Sequence, residues 1–324
     1  MNKRLAVGLA LGGGGARGIA HIGVLKVLER EEIPLDFIVG SSIGALVGTA
    51  YAIKPDAVAL ENRVAEVLGE ENAAGPGFKL LAKVRQYEQD RCDRLHRLKR
   101  FAGKEVFLNL ILVRKGLLSA KDTRSCIDPF LCDIDLVETR IPCAVTAVDL
   151  VSGRRVVITE GSAVQAVMAS CAVPGYMPPV AWDDMLLVDG GVVDVVPAAP
   201  AKEAGVKMVI GVDVGSRFCQ KATIGDGVDA LNRTAEIMEL YLSRPGRGTA
   251  DILIEPDVKD IHWTDFTVYE ELIKKGEQAA ELKLKDIRKA VRRTRRKRIL
   301  PWLPPINPDL KAAKEPISHP SRFL

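Results

Sequence analysis

The chain has 324 residues, of which 47% are hydrophobic and 27% charged, enough to bury a sizeable core in one large α/β domain or two modest ones. Aromatic residues are only 5%, so small and aliphatic side chains must fill the interior, which favours close strand–helix packing over an aromatic-rich β-sandwich. The net charge of +4 is local: six of the 46 basic residues fall within residues 292–298, and without them 40 basic groups face 42 acidic ones, which argues against a nucleic-acid-binding protein.

Residues 5–11 are apolar and follow Lys3 and Arg4, superficially like an export signal. The stretch is short, contains Gly8 and runs into four glycines with no small-residue cleavage site, so it is expected to be a buried strand. No run approaches eighteen apolar residues, and the protein is expected to be soluble and cytoplasmic. Cys92, Cys126, Cys132, Cys143, Cys171 and Cys219 form no C-x-x-C pair. They read as reduced thiols, and neither a metal nor a cofactor is expected.

After the glycine loop, Ile22, Leu25 and Leu28 recur three apart and predict a helix. Residues 37–39 predict a short strand, 40–44 a turn and 45–52 another helix. This β–loop–α–β–turn–α order implies parallel strands joined by crossover helices. Residues 54–138 are more charged, with helical spacing, and read as a helical excursion from the sheet. Strands are predicted at 141–148 and 155–158, as a hairpin around Ser152-Gly153, and a helix at 162–170. Residues 186–188 predict a strand delivering Asp189-Gly190-Gly191. A helix at 197–204, strands at 209–214 and 252–254, and an amphipathic helix at 269–291 complete the order. Residues 292–324 read as a basic, proline-rich and irregular tail.

Three motifs carry chemistry. Gly40-Ser41-Ser42-Ile43-Gly44 fits G-x-S-x-G between a strand and a helix. Such a turn exposes the serine hydroxyl and needs small neighbours, and the helix N-terminus behind it favours developing negative charge. Second, Gly13, Gly15 and Gly18 satisfy G-x-G-x-x-G, the dinucleotide fingerprint, but no ribose-binding acid ends the second strand. The loop otherwise suits an oxyanion hole, in which the N–H groups of Gly13, Gly14 and Gly15 converge on a developing charge, with Arg17 holding the loop or an anionic head group. Third, Asp189 ends a strand with Gly190 and Gly191 beside it, where a carboxylate can accept the Ser42 proton directly. Of four histidines, His319 lies in the tail and His262 is the one plausible triad member in a Ser…Asp…His order, yet Ser42 follows only the second strand, earlier than in an ordinary α/β-hydrolase.

Together the three motifs, in this order, resemble the patatin-like phospholipase family, closest to its bacterial members. The segment from Gly18 to Leu25 and residues 169–180, with Pro174 and Pro178-Pro179, resemble the same family. The likeness runs through residues 5–214, within a domain of 1–291, and continues more weakly through Asp265-Phe266 and Gly276 to Ala280. It implies a three-layer α/β/α sandwich with a mainly parallel sheet and metal-free hydrolysis of lipid esters by a Ser42–Asp189 dyad. The oxyanion donors would be Gly13, Gly14, Gly15 and Ile43, with Arg17, Gly18, Gly40, Gly44, Gly190 and Gly191 supporting the motifs. Asp194 departs from the asparagine common among relatives and places a second carboxylate near the base. Residues 106–113, or Tyr176 and Met177, are expected to line an acyl groove. The basic cluster with Ile299, Leu300, Trp302 and Leu303 has the composition of a peripheral contact with anionic membrane across residues 292–303. A nucleotide-binding module and a catalytically silent regulatory protein are the rival readings.

Overall fold

The computed structural model describes residues 5–69, 75–89, 116–215, 224 and 227–296. In chain order the elements are β1 (Val7–Leu11), α1 (Ala20–Arg30), β2 (Phe37–Ser41), α2 (Ile43–Ile53), α3 (Ala57–Leu68), α4 (Pro76–Gln89) and α5 (Ala120–Ile127). There follow β3 (Cys143–Asp149), β4 (Arg155–Ile158), α6 (Ala163–Ser170), β5 (Val180–Trp182), β6 (Met185–Asp189), α7 (Ala198–Glu203) and β7 (Met208–Val212). The last three are α8 (Gly227–Thr249), β8 (Ile252–Ile254) and α9 (Tyr269–Arg296).

The strands form one eight-stranded sheet in the order β5-β6-β3-β2-β1-β7-β8, with β4 added on β3. From β3 to β8 the strands are parallel; β4, β5 and β6 are antiparallel to their neighbours. β1, β2, β3 and β7 are buried throughout, as strands covered on both faces must be. Their side chains divide by alternation. Leu9, Leu11, Ile38, Ile210 and Val212 join the large core under α1, α2, α6 and α9. Ala10, Phe37, Val39 and Val209 face the other way, onto Ala198 and Ala201 of α7. The result is a three-layer α/β/α sandwich.

One detail of register places the site. Val145 of β3 pairs with Gly40 of β2 and with Ile158 of β4, while Ala147 pairs with Val156 of β4 and with Asp189 of β6. β4 therefore holds one edge of β3, and β2 and β6 share the other, end to end. β2 runs parallel to β3 and stops at Ser41 opposite Thr146; β6 runs antiparallel and stops at Asp189 opposite Ala147. The two strands meet C-terminus to C-terminus, a consequence of β6 being antiparallel.

The structure departs from the sequence reading in three places. α8 and β5 were not anticipated, because Gly227, Pro245, Gly246 and Gly248 punctuate one and the other has only three residues. α9 continues to Arg296, so the basic cluster begins as helix: arginine is a good helix former and needs no apolar periodicity there. Residues 106–113 lie outside the described residues.

Candidate active site

β2 ends in a turn so sharp that Ser42 adopts φ 54° and ψ −125°, a left-handed backbone costing a non-glycine residue about 1–3 kcal/mol. The turn is held from both sides. The Ser42 N–H donates to Ser170 Oγ at 2.8 Å, and the Ser42 carbonyl accepts the first helical bonds of α2 from Ala45 (2.8 Å) and Leu46 (3.2 Å). Gly44 must be glycine for contact reasons: a Cβ there would run into the Leu11 carbonyl.

Asp189 is 5% exposed and caps the short 3-10 turn Gly190–Val192, its Oδ1 accepting the Gly191 N–H at 2.7 Å. Burial pushes its carboxyl up to about 6, against hydrogen bonds from the Ser42 hydroxyl and Gly191 N–H that favour the ionised form; the Glu239 carboxylate adds a smaller upward push. The serine and aspartate singled out in the sequence thus lie beside each other, where β2 and β6 meet along β3. Asp194, the expected second carboxylate, pairs instead with Arg155 at 2.9 Å. The carboxylate that bears on Asp189 is Glu239 of α8, which no motif marks. His262 uses its Nδ1 on Thr264 Oγ1, 2.8 Å away.

The glycine loop packs on the serine turn: a Cβ at Gly13 would lie 3.3 Å from Ser42 Cβ, and one at Gly18 would strike Ile43. Within the loop, the Gly12 N–H donates to the Val212 carbonyl (3.0 Å), Gly13 to Val195 (2.9 Å) and Ala16 to Trp263 (2.6 Å). Among the described residues, the N–H groups of Gly14, Gly15 and Ile43 have no such partner. Arg17 is 5% exposed and donates from Nε to the Gly14 carbonyl at 3.0 Å. Desolvation lowers its pKa, opposed by the nearby Glu239 and Asp213 carboxylates. A trans peptide directs its C=O and N–H oppositely, so tethering the Gly14 carbonyl aims the Gly15 N–H away from Arg17. His21 is fully buried and bonds the Gly12 carbonyl through Nε2 at 2.8 Å. That nitrogen must carry the proton, since a carbonyl only accepts, and burial holds the imidazole neutral by lowering its pKa to about 4.

Ser42 and Gly15 open into an apolar pocket that runs along α2 past Leu46 and Val47 to Ala50, between α3, α4 and α5. Of its lining side chains only Ser42 and Thr123 carry a hydroxyl, and none is charged. Met177 lines it as expected; Tyr176 stacks edge-on against Trp263, a lining residue, with ring centroids 4.9 Å apart. The sequence reading missed Cys171, Trp263 and Phe266 and the whole α2 face of the lining. Residues 169–180 carried the only available signal for Ser170 and Cys171.

The chain is 31% identical over 214 residues to patatin-like phospholipase domain-containing protein 7 of Rattus norvegicus, covering 65% of this chain and 14% of that one. It is 33% identical over 215 residues to lysophospholipase NTE1 of Kluyveromyces lactis, covering 65% and 13%. The chain thus spans about a seventh of the length of the curated relatives it matches. Among solved structures it is similar to human GIVD cytosolic phospholipase A2 (11% identity, TM-score 0.47, 90% of this chain and 59% of that one). The family model for patatin-like phospholipases matches residues 9–202, which include the glycine loop, the serine turn and Asp189, and on that match the chain belongs to the patatin-like phospholipase family.

Proposed function

We propose that the chain is a serine acyl hydrolase that cleaves carboxylic esters of lipids, with phospholipid or lysophospholipid as the substrate class. The observation that carries this reading is Ser42, set on a strained turn beside the buried Asp189 carboxylate and opening into an apolar pocket. The names of the curated relatives support the lipid class.

In this mechanism Asp189 takes the Ser42 proton as Oγ attacks the ester carbonyl. The N–H groups of Gly14, Gly15 and Ile43 receive the tetrahedral oxyanion, at about 3 kcal/mol per donor. Gly13 is set aside as a donor because its N–H is spent on Val195. The carbonyl re-forms, the C–O bond to the alcohol breaks, and Asp189 returns the proton to the leaving oxygen. Water then attacks the acyl-serine, Asp189 takes its proton, and the carboxylic acid departs as Ser42 is restored. The basic cluster at 292–298 would hold this cytoplasmic enzyme at an anionic membrane surface.

Fluorophosphonate labelling and short-chain ester turnover test the dyad. Wild type should label and turn over; Ser42→Ala should do neither. A Ser42→Ala variant that labels as well as wild type means another nucleophile, and a folded wild type that does neither points to a silent protein on this fold.

A further inference from the structure

The pocket carries information about which acyl group is cleaved. Its lining on α2 begins at Ile43 beside Ser42 and ends at Ala50, two helical turns on. Beyond Ala50, α2 contributes nothing to the lining, and the lining residues Ala50, Ile22, Val64 and Ile127 are all buried. Leu60, four residues into α3 after the short connection that follows α2, lines the pocket too and is half-buried. No charged group lines the pocket, and Thr123 has the only hydroxyl beyond Ser42 itself. A chain entering from an ester at Ser42 can therefore bury methylenes against an almost wholly apolar lining that α2 carries no further than Ala50.

The helix gives the length. Eight residues from Ser42 to Ala50 span about 12 Å at ~1.5 Å per residue. An extended hydrocarbon advances ~1.25 Å per carbon, from C–C bonds of ~1.5 Å and an angle near 111°, so the same span takes about ten carbons. Resting on the serine hydrolase reading above, we propose that this pocket is a ruler for one unbranched acyl chain of about ten carbons, with Ala50 and Leu60 as the stop. Longer acyl groups reach this stop and leave their excess outside. A second acyl chain of the same lipid has no place in the pocket and stays outside with the head group.

The test is a series of p-nitrophenyl esters from butyrate to palmitate, assayed as monomers. Each methylene that enters the pocket should raise kcat/KM by up to about fourfold, the worth of burying one CH2. In wild type the rise should stop near decanoate. Ala50→Phe fills the end of the pocket and should move the break to shorter chains, while Leu60→Ala should move it to longer ones, each variant melting close to wild type. Shifts of opposite sign cannot come from a general loss of fold, and if Ala50→Phe does not fold, Leu60→Ala still decides. A wild-type profile that climbs steadily to palmitate overturns the ruler, as does a Ser42-dependent profile that neither variant moves. Turnover that survives Ser42→Ala is a different failure, since it removes the catalytic reading on which the ruler rests.

Discussion

Asp189 and His21 serve neighbouring parts of the same site, and burial moves their titrations in opposite directions. Asp189 rises to about 6 in the folded chain from an ordinary value near 3.8. The folded state then binds its proton more readily, so the contribution of this group to stability is full below about pH 4 and is lost as pH rises through 6, by up to about 3 kcal/mol. His21 falls from 6.5 to about 4, so its contribution is present above pH 6.5 and is lost as pH falls through 4. Asp189→Asn should therefore be more stable than wild type at about pH 8 and lose that advantage near pH 4, as read by urea unfolding at the two pH values. The same substitution should lower kcat/KM by about 10²–10⁴, the worth of a positioned general base. Wild-type kcat/KM should rise with pH through about 6 as Asp189 ionises. A profile flat from about pH 5 to pH 8 would mean that Asp189 is not the proton acceptor.

At the scale of elements, the serine turn and the glycine loop were legible because each is a local pattern with a local cause: a strand, small residues, then a helix. The meeting of β2 and β6 was not, since it depends on register across β3 between residues more than 140 apart in sequence. The pocket was half legible. Met177 sat in a recognisable stretch, but the α2 face with Leu46, Val47 and Ala50 reads in sequence as ordinary helix core. Nor did the sequence mark how α9, beyond the residues matched to the family, holds α1 in place. Gly23 of α1 and Gly276 of α9 face each other so closely that a Cβ on the first would meet the Ile273 carbonyl and one on the second the Ala20 carbonyl. Around this crossing, Leu272, Ile273, Ala280 and Ile287 are buried, and Lys26 bridges Glu61 (2.7 Å) and Glu277. The backbone contact should dominate. Gly276→Val should cost about 3 kcal/mol or more, since the helices must separate, whereas Lys26→Met, at a partly solvated pair, should cost about 1 kcal/mol or less. Equal losses in chemical denaturation would mean that the ion pairs, not the crossing, hold α9.

For the whole molecule the decisive feature is where the positive charge is. Outside residues 292–298 the chain is close to neutral in net charge, with 40 basic against 42 acidic groups. The cluster begins on α9 just after Val291, which is buried, and Arg292, Arg293 and Arg295 project into solvent from that anchored helix. Exposed cations near an anionic leaflet contribute about 1 kcal/mol each, and this attraction fades beyond a Debye length of about 8 Å at physiological salt. No helix among the described residues is long and apolar enough to cross a membrane, so a contact built on these cations is expected to be reversible and salt-sensitive. The full chain should sediment with vesicles containing phosphatidylserine at low salt, release as salt is raised toward 0.5 M (Debye length about 4 Å), and ignore pure phosphatidylcholine. Replacing the six basic residues of 292–298 by Gln should abolish sedimentation while turnover of a soluble butyrate ester continues, because that substrate needs no surface. Vesicle binding that survives both the substitutions and high salt would mean that another part of the molecule makes the contact, through apolar rather than ionic groups. Loss of soluble-ester turnover in the same variant would place the basic segment in the folding of the catalytic domain, not at its interface with lipid.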